Sequence, residues 1–486
     1  MTTNVQNELF PPPSPPPSGL SPTVWAGSTP DLLHTLQAIL QENHKKWHVF
    51  FNDKGFHNHT IHHTLALWAF GANKDVIEAA YQEDSSRQKP AFTSPEPITM
   101  DNFNDHLGDE NFYNAYLLFF CVILTQKKSD INSVLEEFVF SSKFNFGSKS
   151  ASGQHPEMLN RFLGGLIHPM IHTGHGVEFG QPGVIAEGLA QTAVHQATNT
   201  VLIPNTVKLA SDSSTHALTI LARIMKDPDM RVKAEEDEEQ MFSFLDKRGE
   251  ALLEYANSWT LDTSDPKEVE RKIEELQWMN VLIYAVAGFK DGKGDFSADF
   301  FYMHLVTSSL FLPSLIAYLS PTSQEALLRA YFAICLSVYV ARGTPDLNIE
   351  SFFAADIVSP NVYTKSLSDS CPRLSLSPSS PSVTSSPNPW FPIIEQTILH
   401  PDDHLCKLQR ALAHYSTLYG WKEAGLFSGA QIELPGAEKI DGTLFIQSCG
   451  AHSCQACAQT EPADQGSSEK KLVDEEEAFF HSLLEL

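Results

Sequence analysis

The chain has 486 residues, 42% of them hydrophobic and 10% aromatic, with 31 Phe, enough to bury a large core and to wall a flat apolar ligand. Its 59 acidic against 33 basic residues give a formal charge of −26, a field that repels phosphate backbones and anionic headgroups. Nucleic-acid binding and membrane attachment are therefore excluded as expected functions, and small neutral substrates remain. Seven Cys, four of them scattered singly at 121, 335, 371 and 406, make no disulfide framework and fit a reducing, cytoplasmic setting.

From the N-terminus, Met1 to Leu20 lacks a basic stretch followed by an apolar one, so no secretory signal is read there. Residues 1–24, which include FPPPSPPPSGLSPT at 10–23, are predicted to be a disordered leader outside the fold. A single large body follows over 25–447. Its first apolar helix is expected after His57-Asn58-His59-Thr60-Ile61-His62-His63, and a second histidine cluster lies at 168–175. Asp265-Pro266-Lys267-Glu268 supplies an N-cap, a first-turn proline and an acidic third position for a helix running to Gly288. Thr322-Ser323-Gln324-Glu325 reads as a capping box before an almost wholly buried helix over 326–341, whose most apolar run, 330–341, is about a dozen residues and falls short of the roughly 20 that span a bilayer. Residues 366–389 (SLSDSCPRLSLSPSSPSVTSSPNP) read as a flexible insertion, and 448–486 as a polar, acidic tail carrying Cys449, Cys454 and Cys457. Alternating strand patterns are scarce, so the fold class expected is mainly α.

The histidine clusters carry the chemistry. Residues four apart share a helix face, so His59 with His63, and His168 with His172, could each aim two imidazoles at one point. Neutral imidazole suits iron, copper, zinc and nickel, and the scarcity of thiolates favours a redox or Lewis-acid centre over a structural zinc site. Pro169 could start a helix just after His168 or kink an existing one. Downstream, Glu187, Gln191 and His195 form a polar stripe on an otherwise apolar helix, either orienting metal-bound histidines or making a plain buried network. His304, among Phe300, Phe301 and Tyr302, is a further candidate ligand. His404 and Lys407 share a face of a helix opening at His400-Pro401-Asp402-Asp403. A buried Lys407 beside imidazoles would have to be neutral or modified, for example carbamylated into a carboxylate ligand. Isolated His34, His216 and His481 read as satisfied core residues.

Other motifs do not complete. Cys449-x4-Cys454-x2-Cys457 lacks the fourth Cys of an iron–sulfur run, which leaves an adventitious zinc site or unconnected tail cysteines. Phe162-x-Gly164-x3-His168 begins a flavin Baeyer–Villiger fingerprint that fails at His172, where Trp is required, and no GxGxxG follows a strand, so no flavin motif is present.

Together, HNHTIHHTLALWAFGA (57–72), FLGGLIHPMIHTGHGVEFGQPGVIAEGLAQTAVH (162–195), FYMHLVTSS (301–309) and DDHLCKLQRAL (402–412) resemble the questin oxidase-like family of fungal polyketide pathways. The resemblance implies an oxygenase that opens an anthraquinone or related polycyclic ring in a Baeyer–Villiger-like oxidation with O2 and NADPH. Without flavin motifs, the preferred centre is non-haem iron, with His59, His63, His168, His172, His304 and His404 as candidate ligands and Lys407 as a further one. Glu178, Glu187 and His195 would orient ligands or move protons, and apolar walls would hold a planar aromatic polyketide. Two other readings use the same residues: a non-catalytic polyketide-binding protein, and a metal-dependent hydrolase that needs no O2.

Overall fold

A computed structural model describes residues 8–449 except 53, 129, 151–152, 205–214, 234–241, 290–295 and 356–387. The described residues form helices and turns, with three isolated β-bridges and no strand among them, as the sequence leads one to expect. Ten helices position the site. They are α1 (Pro30–Lys46), α2 (Thr60–Ala69), α3 (Lys74–Ser86), α4 (Tyr113–Gln126), α5 (Gly164–Phe179), α6 (Pro182–Val194), α7 (Pro266–Ala287), α8 (Phe300–Ser309), α9 (Pro321–Ala341) and α10 (Asp403–Tyr419).

The core is built around helices that are buried on every side. Every residue of α2 and of α6 is buried, and their small and β-branched residues let neighbours approach from all directions. α6 packs on α5 and α4, α10 on α2, and α8 on α7 and α5, so the two histidine-bearing helices lie at the centre of the stack. α7 starts and stops as its sequence predicts: Asp265 accepts from Lys267 N, Pro266 takes the first turn and Gly288 caps the end. α9 begins two residues earlier than the capping-box reading. Pro321 occupies the first helical turn and Ser320, not Thr322, is the N-cap, accepting from Ser323 N. At 21 residues α9 is long and apolar enough to span a bilayer, a correction to the dozen residues read from sequence, but 78% of its most apolar window is buried inside the body.

The leader is the clearest correction. Leu9 and Phe10 are each 1% exposed, and the backbone from residue 10 onward is tied to the body. A Pro-rich chain satisfies no carbonyls of its own, so body side chains supply the donors. Gln37 Nε2 donates to Phe10 O at 2.9 Å, Gln181 Nε2 to Pro11 O at 3.0 Å, and Ser14 N donates to Phe179 O at 3.0 Å. Phe10 fills the space beside Gly183, where a Cβ would lie 2.2 Å from its ring. At the other end, Ser448 and Cys449 are buried, so the body runs past 447. Cys454, Cys457, His481 and residues 366–387 of the insertion lie outside the described residues.

Candidate active site: a buried histidine centre

The turn into α5 brings the two clusters together. Gly165, Leu166 and Ile167 have φ of 49°, 49° and 67°, three consecutive left-handed residues, after which a right-handed helix begins at His168 with Pro169 in its first turn. Pro169 therefore starts a helix, the first of the two geometries its position allowed. Left-handed backbone at Leu166 and Ile167 costs on the order of 1–2 kcal/mol each and is held by burial of both side chains. The turn aims His168 back at α2, its Nδ1 bonded to Gly165 O at 2.6 Å. His59, the uncapped N-cap of α2, meets it with the two Nε2 atoms 2.9 Å apart. His57 stacks on His168 at 3.7 Å between centroids, and its Nε2 lies 2.7 Å from His195 Nε2. His304 from α8 and His404 from α10 close the group, with centroids 4.7 Å from His168 and His59 respectively.

Some of these rings lie close enough together to hold a metal ion. His59 Nδ1 is 2.8 Å from Asp403 Oδ2, His304 Nδ1 is 2.7 Å from Phe300 O, and His404 Nδ1 lies 3.4 Å from Asp402 and Asp403 carboxylate oxygens. With His168, that makes four imidazoles whose Nδ1 faces a carbonyl or carboxylate oxygen, in His168 and His304 through a hydrogen bond, the outer-shell contact that orients a ligating Nε2. The Nε2 atoms of His304 and His404 are buried and have no partner. Two nitrogens about 2.1 Å from one ion at a right angle lie about 3 Å apart, close to the His59–His168 separation. His57, His59 and His168 place ligand atoms within 4.8 Å of one another, as do His59, Asp403 and His404. Burial, reinforced by neighbouring imidazoles and the Lys407 ammonium, holds His57, His168 and His304 well below the ordinary histidine range. His59 is brought down to about 3 and His195 to about 4, again mainly by burial. These five rings are thus favoured in the neutral form, the state a metal needs.

The remaining sequence candidates go elsewhere. His63 does not pair with His59: its Nδ1 bonds Asp84 Oδ2 of α3 at 2.9 Å, because His59 precedes the first helical turn and the two rings do not share a face. His172 has both nitrogens engaged, Nε2 with Glu187 Oε2 at 2.9 Å and Nδ1 with His62 Nε2 at 3.0 Å, which leaves no lone pair for a metal. Glu187 bridges His172 and His44, whose Nδ1 lies 2.6 Å from Oε1. Glu178 pairs with the buried Arg410 rather than with an imidazole. Gln191 is buried with neither amide atom bonded. Lys407 is buried, with Asp403 Oδ2 3.0 Å from its Nζ. His34 is exposed rather than core, whereas His216 is partly buried and satisfied, its Nδ1 accepting from Leu218 N at the start of a mostly buried helix.

Sequence reasoning missed His57, His62 and Asp403, although all three stand inside the quoted motifs; Asp403 sits four residues before Lys407, the spacing of a helical ion pair. His44 and Cys121 carry no local signal, since only tertiary packing brings α1 and α4 to Glu187.

Behind the centre, Ile171, His175, Phe311, Lys407 and Arg410 line a cavity of about 10 Å3, room for one water-sized molecule and far too small for a tricyclic ring. His404, with 22% of its side chain exposed, is the most open imidazole of the group, flanked by the Phe300 ring at 5.2 Å.

The family model described as questin oxidase-like matches residues 56–412, which contain all the imidazoles of the centre. The chain belongs to the questin oxidase-like family. Among its relatives, a Baeyer–Villiger oxidase of Pestalotiopsis microspora is 28% identical over 334 residues, 64% of this chain and 71% of the relative. A Baeyer–Villiger oxidase of Emericella nidulans is 28% identical over 347 residues (68% and 75%), and the questin oxidase of Aspergillus terreus 25% over 328 residues (64% and 70%). This questin oxidase-like protein is accordingly an oxidoreductase, its relatives being named questin oxidase and Baeyer–Villiger oxidase.

Proposed function

We propose that this enzyme oxidatively opens a ring of a planar, hydroxylated polycyclic aromatic polyketide, an anthraquinone or a close analogue. In Baeyer–Villiger stoichiometry one atom of O2 enters between a ring carbonyl carbon and its neighbour, and the other leaves as water with two electrons from NADPH. The observation that supports the reading is the convergence of four imidazoles, His59, His168, His304 and His404, whose neighbouring rings lie 4.7–5.7 Å apart and among which His57, His59 and His168, and His59, Asp403 and His404, bring ligand atoms within 4.8 Å of one another. These four would hold a non-haem iron, with His57 and Asp403 close by, and with Lys407 a further donor if it carries CO2 as a carbamate. When bound, iron supplies redox and Lewis-acid chemistry toward O2.

The protein's own residues do the rest. The apolar side at Phe300, next to the most open imidazole, receives and stacks the flat substrate. Burial of His57, His168 and His304, each 5% exposed or less, excludes water. His57 and His195 share one proton between facing Nε2 atoms and can hold or pass it at the edge of the centre. Incubation of the full chain with a hydroxyanthraquinone and NADPH under 18O2 should give a ring-opened product carrying one labelled atom. Equal conversion without O2 would indicate a hydrolase, and binding without conversion a carrier; either outcome overturns the reading.

A further inference from the structure

The helices that supply the imidazoles also wall the small cavity behind them. Ile171, Thr307 and Lys407 each stand three residues after an imidazole of the centre, His168 on α5, His304 on α8 and His404 on α10, and all three line the cavity. Ala66 completes this wall from α2, seven residues after His59. Residues three apart share a helix face, so the cavity continues the same convergence one turn on, a rise of about 5 Å. Two contacts tie it to the centre. Thr307 Oγ1 donates to His304 O at 3.3 Å, and Asp403 Oδ2 lies 3.0 Å from Lys407 Nζ and 2.8 Å from His59 Nδ1. No wall residue is more than 6% exposed.

The chemistry of the walls selects the guest. Ala66, Ile171, Leu310 and Phe311 are apolar, and the polar wall groups turn to protein partners: Thr307 to His304 O, His175 Nδ1 to Ile171 O at 2.9 Å, Lys407 to Asp403 and Arg410 Nη2 to Glu178. A buried water needs two to four polar partners, whereas an apolar cavity stays dry and takes up apolar guests. An anion fits no better, because each cationic head already faces a carboxylate and a further negative charge would be buried without compensation. The space suits a neutral, apolar molecule about as wide as water. Arg410 Nε and Nη1 are buried without a partner, donors suited to a guest whose atoms only accept.

We propose that this cavity is a dioxygen site, holding O2 one helical turn from the imidazoles. Dioxygen is no wider than water, is apolar, and offers acceptors but no donor. It reaches a buried apolar void through ordinary side-chain fluctuations, so it need not share the entrance of the flat aromatic substrate. Ala66, Ile171, Leu310 and Phe311 then set the affinity for O2 without touching that substrate. The choice of O2 among apolar diatomics rests on the function proposed above; the existence of an apolar gas site does not.

The test has two arms. Crystals of the full-length protein frozen under O2 pressure should show elongated two-atom density between Ala66, Ile171 and Phe311, and crystals under krypton an anomalous peak at the same place. A single round peak bonded to Arg410 and unchanged by either gas is a bound water and overturns the proposal, as does a cavity that stays empty. Ala66→Val, which adds two methyl groups to the wall, should abolish both gas signals; if it does not fold, Leu310→Phe replaces it. In the second arm, steady-state turnover of a hydroxyanthraquinone is measured against O2 concentration. The filled variant should raise KM for O2 by about 5- to 10-fold, the loss of a weak binding site, and leave KM for the aromatic substrate within about twofold. An unchanged KM for O2, or equal rises in both constants, overturns the site's role in O2 capture. Because the gas-pressure arm needs no turnover, it still reads the site if the proposed reaction fails.

Discussion

Gly165 has a φ of 49°, and a Cβ on it would lie 2.3 Å from His195 Cε1. The left-handed turn into α5 thus leans directly on the imidazole that faces His57. Gly165→Ala would add strain at the turn and push His195 away, so the variant should lose about 1–3 kcal/mol of stability and a larger share of activity. Thermal unfolding and initial rates compared side by side check this; wild-type activity in the variant would show that the His57–His195 contact is dispensable.

Stability should depend on pH in a defined window. Buried histidines with folded values far below the unfolded 6.5 contribute stability that is fully present above 6.5 and is lost as pH falls through the folded value. For His195, brought down to about 4, the loss is on the order of 3 kcal/mol, and His57, His168 and His304 act in the same direction. His44 runs the other way: raised to about 10, its contribution is present below 6.5 and disappears as pH climbs through 10. Denaturant unfolding should therefore show a maximum near pH 6.5, with a steep acid limb below it and a shallower decline from 6.5 towards about 10.

The Pro-rich leader should matter to folding. Phe10 packs edge-on against His44 at 5.1 Å and fills the space over Gly183. Phe10→Ala is expected to cost about 3–5 kcal/mol, and deletion of residues 1–24 at least as much. An unchanged melting temperature after deletion would show that the segment is not part of the cooperative unit.

Glu178 and Arg410 form a buried ion pair, and each has further polar atoms without partners. Removing either charge alone strands the other, so Glu178→Leu or Arg410→Met should each cost about 3–5 kcal/mol, while the double variant should be much less damaged than their sum. A double-mutant cycle on the unfolding free energy measures this coupling, and additive losses would contradict it.

Much of this arrangement was visible in the sequence. The mainly helical body, the boundaries of α7 and the convergence of His59, His168, His304 and His404 follow from capping residues, apolar runs and clustered imidazoles. Facing directions did not follow, because helical spacing assigns a face only once the helix start is known. His59 proved to be an N-cap, so its i,i+4 partner His63 turned to Asp84, and the preceding left-handed turn sent His172 to Glu187 rather than into the centre. The leader was misread for a related reason: composition shows that a Pro-rich segment cannot satisfy its own backbone, and only the fold shows that Gln37 and Gln181 do so for it.

The central claim is that His59, His168, His304 and His404 form a metal centre from which His172, held by Glu187 and His62, is excluded. Iron content of purified full-length protein, measured by plasma mass spectrometry for the wild type and for His168→Ala, His304→Ala and His172→Gln, tests it most directly. Near-stoichiometric iron in the wild type, lost in the first two variants and retained in His172→Gln, is the predicted result. Iron that survives loss of His168 and His304, or wild-type protein that opens a hydroxyanthraquinone at full rate after complete chelation, would contradict the account.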